Sequence, residues 1–528
     1  MTDAPFRFKN AAVSLADDGM CSATQPSLVE STLTGLQWSY GGRLAQVTSQ
    51  VAVGILLARI LGPAPFGVVA AAWLVVGLAN QWADLGLSSA LIQRKTVCPE
   101  DVRFVFTVQL VIGVGLTVAV AASADLVAQV LKRAELVWVI RALSLVFVIQ
   151  VFGLVATSLL KRNLDFKTVQ LTQTASYVVA YVLVGVPLAA FGLGAWSLVV
   201  AQLTQSFLYS SVLFLRVRYS IKPLLSTRPA GLVGFGSKVT AINLVNWFIS
   251  SVDSAFLARC FGVRELGLYN RACTLTAAPT GGILSALSGV LFPAYSKGRQ
   301  DNSVLRRVYL TSVAAVALVT LPLFSGVAVA HHSVIEGLYG DRWSAAGPLL
   351  VPLALAMVLH ALMGLAGPLL WARGRVELEL WVQSVVGLLF VLVLLATSRI
   401  SVLAVAWGVF LVYLVRFLLM TSQVLRITEG SWRSVLAALR GALFMAICTD
   451  LLIWSVDRVL LTYGLQPVLR LAPDVVAGAF AMTGFALLFP RIVFGAELAW
   501  LLRRFAGRLP AAFRPFVRHI DSVEMEAA

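Results

Sequence analysis

The chain contains 528 residues, of which 59% are hydrophobic and only 12% are charged. Its mean hydropathy is +0.87, which is too apolar for a soluble protein of this length, because too few polar side chains remain to cover the surface. The composition excludes a soluble enzyme, a disulfide-rich secreted module and a disordered chain. It predicts an all-α, polytopic integral membrane protein.

The net charge is strongly positive, with 41 Lys and Arg residues against 25 Asp and Glu residues. In a soluble protein this excess would suggest a nucleic-acid partner. Membrane proteins, however, concentrate Lys and Arg in their cytoplasmic loops, so we expect no nucleic-acid partner here. The five cysteines show no paired or metal-binding spacing, and the sequence predicts no metal site, no cofactor and no catalytic residue.

Apolar stretches of the ~20 residues that a spanning helix needs recur along the whole chain. In chain order, the predicted spans are 36–58, 67–92, 103–123, 136–159, 168–190, 194–215, 232–258, 266–291, 306–329, 346–371, 378–397, 401–424, 436–456 and 475–494. The sequence therefore predicts about 14 transmembrane helices. The corresponding domains are a cytoplasmic tail at 1–33, six-helix bundles at 34–220 and 231–426, two additional helices at 436–494, and a basic amphipathic cytoplasmic tail at 495–528.

The distribution of Lys and Arg predicts the orientation. The predicted loops on the side of the N-terminus, together with both tails, hold roughly three times as many Lys and Arg residues as the opposite loops. Because cytoplasmic loops carry the excess of positive charge, both termini are predicted to be cytoplasmic. The longest predicted connections, 331–344 and 457–473, would then lie on the outer side.

The two predicted bundles share an internal repeat. The segment LLARILGPAPFG (Leu56–Gly67) recurs 200 residues later as FLARCFGVRELG (Phe256–Gly267). The identical pairs are Leu57 and Leu257, Ala58 and Ala258, Arg59 and Arg259, Gly62 and Gly262, and Gly67 and Gly267. An even number of spans separates the copies, so the halves are predicted to be parallel repeats related by an axis along the membrane normal, with a transport cleft between them.

Five segments carry a resemblance to a known family. They are Leu56–Gly67, Asp84–Lys95, Asp253–Ala272, Leu291–Lys297 and Tyr339–Leu350. With these segments and its many spans, the chain resembles the bacterial polysaccharide transporter family, which includes the Wzx-like flippases of O-antigen and exopolysaccharide repeat units. That family lies within the superfamily that also contains the multidrug and toxic compound exporters and the lipid II flippase.

The resemblance implies that the protein flips undecaprenyl-pyrophosphate-linked oligosaccharide repeat units from the inner to the outer leaflet by alternating access. It places the protein in the cytoplasmic (inner) membrane of a bacterium. The implied partners are the lipid-linked oligosaccharide, membrane lipids and, as a further expectation, a polysaccharide polymerase with its chain-length machinery.

A pyrophosphate headgroup requires a wet, cationic cleft, because a charge at the bilayer centre is costly. Four intramembrane cations are candidates for binding it: Arg43, Arg141, Lys238 and Arg271. Arginine suits phosphate because its guanidinium group can donate two parallel hydrogen bonds. Arg271 is preferred because it follows the repeat and because basic residues of the eighth span resemble those of the lipid II flippase cavity. Arg416 is a further intramembrane cation. For each of them, two other interpretations stay open: the long side chain only reaches the headgroups, or it forms a structural pair.

Two intramembrane acids, Asp84 and Asp253, match positions that the family pattern favours. They would either form structural ion pairs or bind a coupling ion, and structural pairing is the preferred interpretation.

Two other functions stay open at this point. A cation-coupled small-molecule exporter of the same superfamily would need membrane acids as ion sites, and the chain has few of these. A membrane-bound polysaccharide polymerase or glycosyltransferase would need a sizeable catalytic loop or an acidic metal cluster, and the sequence shows neither.

Overall fold

The structure is a computed structural model, and it describes residues 28–83, 86–94, 97–224, 231–297, 300–490 and 492–494. Within these ranges every regular element is helical. The helices are α1 (Leu28–Leu61), α2 (Pro63–Ala83), α3 (Leu87–Gln93), α4 (Pro99–Leu131), α5 (Leu136–Arg162), α6 (Phe166–Val178), a π-helical segment (Val179–Gly185), α7 (Val186–Ala190), α8 (Ala195–Val217), α9 (Gly231–Cys260), α10 (Val263–Lys297), α11 (Asn302–Val329), α12 (His331–Tyr339), a 3₁₀ segment (Asp341–Ala346), α13 (Gly347–Met363), α14 (Ala366–Ala372), α15 (Val376–Thr397), α16 (Val402–Thr428), α17 (Trp432–Thr462) and α18 (Pro467–Leu488).

Among the described residues, 12 helical stretches are long and apolar enough to cross a membrane. This finding confirms the prediction of an all-α, multi-pass membrane protein. Two further long helices, α9 and α10, coincide with the predicted spans 232–258 and 266–291 but fall outside this set. The count of 14 therefore stays a prediction. The predicted tail at 495–528 lies outside the described residues, and α1 begins at Leu28, six residues before the predicted start of the first bundle.

Two of the predicted boundaries are wrong. The span predicted at 67–92 ends at Ala83, and the short helix α3 follows after Gly86, whose φ of 70° is a left-handed conformation that glycine adopts without steric cost. The span predicted at 346–371 is confirmed, since it falls within the single apolar stretch Asp341–Ala372, which consists of the 3₁₀ segment, α13 and α14. The loop predicted at 331–344 contains α12, because Val334 and Ile335 bury their side chains against the core.

The connection predicted at 457–473 is also much shorter than expected. The helix α17 continues to Thr462, and α18 begins at Pro467, where proline at the first helical turn is well tolerated. The two helices thus form a hairpin. It packs on the second half of the chain, with α17 along α11 and α18 against α12.

The two halves share a packing pattern. In the first half α5 packs against α2, α4 and α8, and in the second half α13 packs against α10, α11 and α16. Each central helix thus contacts the helices that correspond to the second, third and sixth predicted spans of its half. The pattern agrees with a duplicated architecture, although the division into the predicted domains 34–220 and 231–426 stays a prediction.

The halves meet at the repeated glycines. A Cβ atom added at Gly67 would overlap the carbonyl oxygen of Val263, and one added at Gly267 would overlap that of Pro63. The backbones of α2 and α10 therefore touch in a reciprocal way, in which each glycine lies against the first turn of the other helix. Contacts of this kind are characteristic of elements related by a twofold axis.

Further contacts between the halves surround this crossing. The Arg59 side chain donates hydrogen bonds to the carbonyl oxygens of Leu338, at 2.7 Å, and of Gly337. The indole nitrogen of Trp343 donates to the carbonyl oxygen of Ala58 at 2.9 Å. At this end of the molecule, where α1 ends and α2 begins, the halves are in direct contact. We call it the closed end.

Candidate functional site

Next to the closed end, a cavity of about 560 Å³ lies between the halves. We call it the central cavity. Helices of the first half form most of its wall, and α9 and α10 of the second half complete it. Its polar lining includes Gln50, Gln202, Gln205, Asn270 and Arg271, and no Asp or Glu is present among the described residues of the wall.

Arg271 lies on α10 eight residues after Val263, about 12 Å along the helix at 1.5 Å per residue. Its guanidinium carbon is 3.7 Å from the centre of the Phe66 ring, a cation–π contact. Its Nη1 atom lies against the backbone of α1, because a Cβ atom at Gly54 would be only 3.1 Å away. The tyrosines Tyr177 and Tyr181 line the same cavity.

The charge of Arg271 is not neutralised within the described part of the protein. No carboxylate there forms a salt bridge with it, and its buried Nε atom has no hydrogen-bond partner. A buried donor without a partner costs about 1–3 kcal/mol, and more when it is charged. A bound anion would remove this penalty. The Arg271 side chain lines the central cavity between the two halves.

A smaller cavity of about 170 Å³ joins Arg271 to Arg43 along α1 and α10. Arg43 is exposed, and its Nη1 atom donates to Gln46 Oε1 at 3.4 Å. It lies 18 residues before the end of α1, about 27 Å from the closed end. The structure thus places two of the four predicted cations on one path, which leads from Arg271 away from the closed end.

An aromatic and amide surface borders Arg271, and the sequence did not single it out. Tyr177 and Tyr181 stack with their ring centres 4.5 Å apart. The Tyr181 hydroxyl donates to Gln202 Oε1 at 2.9 Å, and Trp73 lies on the facing helix α2. The π-helical segment Val179–Gly185 continues α6 at this point, and such segments occur frequently at functional sites.

The other predicted cations lie elsewhere. Arg141 forms an ion pair with Asp125 at 2.7 Å and stacks over Trp138, and it lines neither cavity. Lys238 is on α9, but its side chain lies outside the described residues. Arg416 donates to Gln383 Oε1 at 2.7 Å within the second half. Of these cations, the structure describes Arg141 and Arg416, and it brings neither of them together with Arg271.

Asp253 is the predicted acid that the structure describes, and it forms no ion pair with a described residue. Asp253 is buried, with its Oδ2 accepting a hydrogen bond from the Tyr269 hydroxyl at 2.6 Å and its Oδ1 from the backbone N–H of Ser254 at 2.7 Å. It thus links α9 to α10 through a tyrosine rather than through a cation. Asp84 lies outside the described residues.

Two curated relatives match most of the chain. The teichuronic acid biosynthesis protein TuaB of Bacillus subtilis is 27% identical over 463 residues, which cover 86% of this chain and 95% of that protein. The lipopolysaccharide biosynthesis protein WzxC of Escherichia coli is 24% identical over 443 residues, covering 82% and 89%, respectively.

Among solved structures, the lipid II flippase MurJ in its inward closed conformation superposes with a TM-score of 0.68, at 14% identity. The match covers 87% of this chain and 99% of MurJ, and it shows a shared fold. The family model described as polysaccharide biosynthesis protein matches residues 56–348, which include both copies of the repeat and Arg271. The resemblance read from the sequence is thereby confirmed, and the chain belongs to this family of polysaccharide biosynthesis proteins.

Proposed function

We propose that the protein flips lipid-linked oligosaccharides across the bacterial cytoplasmic membrane by alternating access between its two halves. The observation that carries the proposal is Arg271, an unneutralised cation in a cavity whose described walls hold no acid. Such a site selects an anion, and a pyrophosphate offers oxygen atoms that match the guanidinium fork. The fold shared with a lipid II flippase and the relatives named for teichuronic acid and lipopolysaccharide biosynthesis support this choice.

The sugar portion of the substrate would lie in the central cavity beside Arg271. Trp73, Tyr177 and Tyr181 provide flat apolar surfaces for sugar rings, and Gln202 and Gln205 provide amide groups for hydroxyls. A volume of about 560 Å³ is in the range of small-ligand sites. The cavity therefore offers both the charge and the mixed polarity that the headgroup requires.

The lipid tail would leave the cavity between α1 and α10. The equivalent pair in the repeat, α9 and α2, is closely packed, since a Cβ atom at Gly77 would be 3.0 Å from the indole nitrogen of Trp247. Between α1 and α10, by contrast, lies the cavity that Arg43 and Gly281 line. This side of the molecule can admit the tail laterally while the headgroup occupies the central cavity.

The proposal is tested with the purified protein in liposomes that contain an undecaprenyl-pyrophosphate-linked oligosaccharide. A membrane-impermeant glycosidase measures how much oligosaccharide reaches the outer leaflet. We expect transfer well above that of protein-free liposomes, with no change in the length of the oligosaccharide. Transfer at the protein-free rate would refute the flippase, and elongation of the oligosaccharide would favour a polymerase.

The small-molecule exporter remains the rival transporter, and the same liposomes address it. A cation-coupled exporter needs acidic groups in the cleft to bind its coupling ion, whereas the described cavity walls hold arginine and no acid. We therefore expect no uptake of a cationic dye by these liposomes, with or without a proton or sodium gradient.

We predict that Trp73→Ala slows oligosaccharide flipping about fivefold, because an aromatic contact contributes ~0.5–1.5 kcal/mol beyond its buried area. Trp73→Phe should retain most of the activity, since it keeps a flat ring at the same place. The liposome assay measures both variants. Equal losses from the two variants would contradict a stacking role.

We also predict the orientation, with both termini in the cytoplasm. Ser303 is exposed at the start of α11, and Tyr463 is 78% exposed beyond the end of α17. In a cysteine-free protein, Tyr463→Cys should react with an impermeant maleimide added to intact cells, whereas Ser303→Cys should react only after permeabilisation. The opposite labelling pattern would invert the proposed topology.

A further inference from the structure

A second cavity, of about 660 Å³, lies away from the path of the proposed substrate. The ends of α11, α16 and α17 form it, together with residues 492–494 beyond α18. The helices α11 and α17 begin on this side of the molecule, and α16 and α18 end on it. The cavity therefore lies where the spanning helices leave the membrane, at the level of the headgroups. We call it the rim cavity.

The polar part of the rim cavity is cationic. Its lining includes three arginines, Arg306, Arg307 and Arg440, and a single acid, Glu429. Glu429 Oε1 accepts a hydrogen bond from Asn302 Nδ2 at 3.0 Å, so part of the acceptor capacity of this carboxylate is already used. By formal charge, the three arginines exceed the one glutamate, so the lining of the cavity is positive.

The backbone adds to this positive potential. The helices α11 and α17 both begin at the rim cavity, and the N-terminus of a helix carries a partial positive charge. Part of the hydrogen-bonding capacity of Arg306 is already used, because its Nη1 atom donates to the carbonyl oxygen of Glu429 at 2.9 Å and so caps the end of α16. Arg440 is exposed on the wall, and Ser431 and Ser434 place hydroxyl groups beside it.

The other part of the rim cavity is apolar. Leu310 and Ala314 lie one and two turns deeper along α11 than Arg306 and Arg307, and Phe494 lines the same cavity. Residues 492–493 pass directly over Gly441, where a Cβ atom would overlap the carbonyl oxygen of Val493. The site is thus a slot with cations at the headgroup level and an apolar interior towards the membrane.

We propose that the rim cavity binds the phosphate headgroup of an anionic membrane lipid. Arg307 and Arg440 contact the phosphate oxygens, and the first methylene groups of the lipid chains occupy the apolar part beside Leu310 and Phe494. A bound lipid would bridge the α17–α18 hairpin to the second half through α11. This role is independent of the transport proposal, because the rim cavity and the central cavity share no lining residue.

The test is native mass spectrometry of the full-length protein in detergent, titrated separately with phosphatidylglycerol, undecaprenyl phosphate and phosphatidylcholine. We expect the tightest adducts with one or both anionic lipids, and the stronger of the two identifies the lipid that the cavity takes. The double variant Arg307→Ala/Arg440→Ala should weaken this binding about tenfold or more, as expected from lost charge-assisted hydrogen bonds. Arg440→Lys should have a smaller effect.

Arg426→Ala is the matched control, since Arg426 is exposed near the same end of α16 but does not line the cavity. It should bind lipid like the unmodified protein. Ala437→Trp provides a second variant, which fills the cavity without removing a charge and should also weaken binding. Equal effects of Arg426→Ala and of the double variant Arg307→Ala/Arg440→Ala, or displacement of the lipid by millimolar inorganic phosphate alone, would overturn the proposal.

Discussion

Replacing Gly67 by alanine is expected to destabilise the protein and to abolish oligosaccharide flipping, although the change adds one methyl group. The added Cβ atom would overlap the carbonyl oxygen of Val263, which belongs to the backbone of α10 and cannot rotate away as a side chain can. Overpacking of a well-packed core costs about 1–3 kcal/mol. Here the whole helix has to move, so we expect a loss at or above the upper end of this range.

The reciprocal contact makes this prediction sharper. Gly267→Ala should have the same effect, because its Cβ atom would overlap the carbonyl oxygen of Pro63. The two substitutions force the same separation of α2 from α10. The double variant should therefore lose less stability than the sum of the two single variants, as expected for residues that act through one shared contact.

Thermal unfolding of the purified variants and the liposome assay measure these effects. Gly115→Ala is the control, since Gly115 lies on α4 with no atom within 4 Å of an added Cβ atom. It should be neutral or stabilising by up to about 1 kcal/mol, because alanine is the better helix former. If Gly67→Ala behaves like Gly115→Ala, the two halves do not touch at this point.

The sequence could predict the fold because its strongest signal, apolar length, is local. A bilayer requires ~20 consecutive apolar residues per helix, and most of the predicted spans coincide with observed helices. The errors occur where local hydropathy does not decide the structure. Gly86 interrupts an apolar stretch, and α12 forms from residues 331–339 because tertiary packing buries their apolar face.

The candidate site was only partly predictable, because it depends on which helices meet. The repeat pointed to Arg271, and pairing between distant helices then decided which other cations lie near it. Arg141 and Asp125 face each other across the short connection between α4 and α5, a pairing that the spacing of an antiparallel hairpin could have suggested. Tyr177 and Tyr181 carried no such signal, since isolated tyrosines in an apolar helix are common.

Arg271→Ala is expected to weaken binding of the lipid-linked oligosaccharide about 10- to 100-fold and to reduce flipping accordingly. Hydrogen bonds to charged groups contribute ~1.5–3 kcal/mol, and among the described residues no salt-bridge partner competes with the pyrophosphate for the guanidinium group. Arg271→Lys should recover only part of the affinity, because a point charge replaces a planar fork with several donors.

A structural role for Arg271 predicts a different result, and stability distinguishes the two. Removing a buried, unpaired charge should leave the melting temperature unchanged or raise it, whereas removing a structural partner should lower it.

Arg141→Ala is the matched control, since Arg141 is also a predicted intramembrane cation but pairs with Asp125 and lines neither cavity. It should retain flipping. Binding of the lipid-linked oligosaccharide, flipping in liposomes and thermal unfolding are measured for all three variants. Full activity of Arg271→Ala, or equal losses from Arg271→Ala and Arg141→Ala, would rule out the central cavity as the pyrophosphate site, while a lowered melting temperature with unchanged affinity would assign Arg271 to the structure alone.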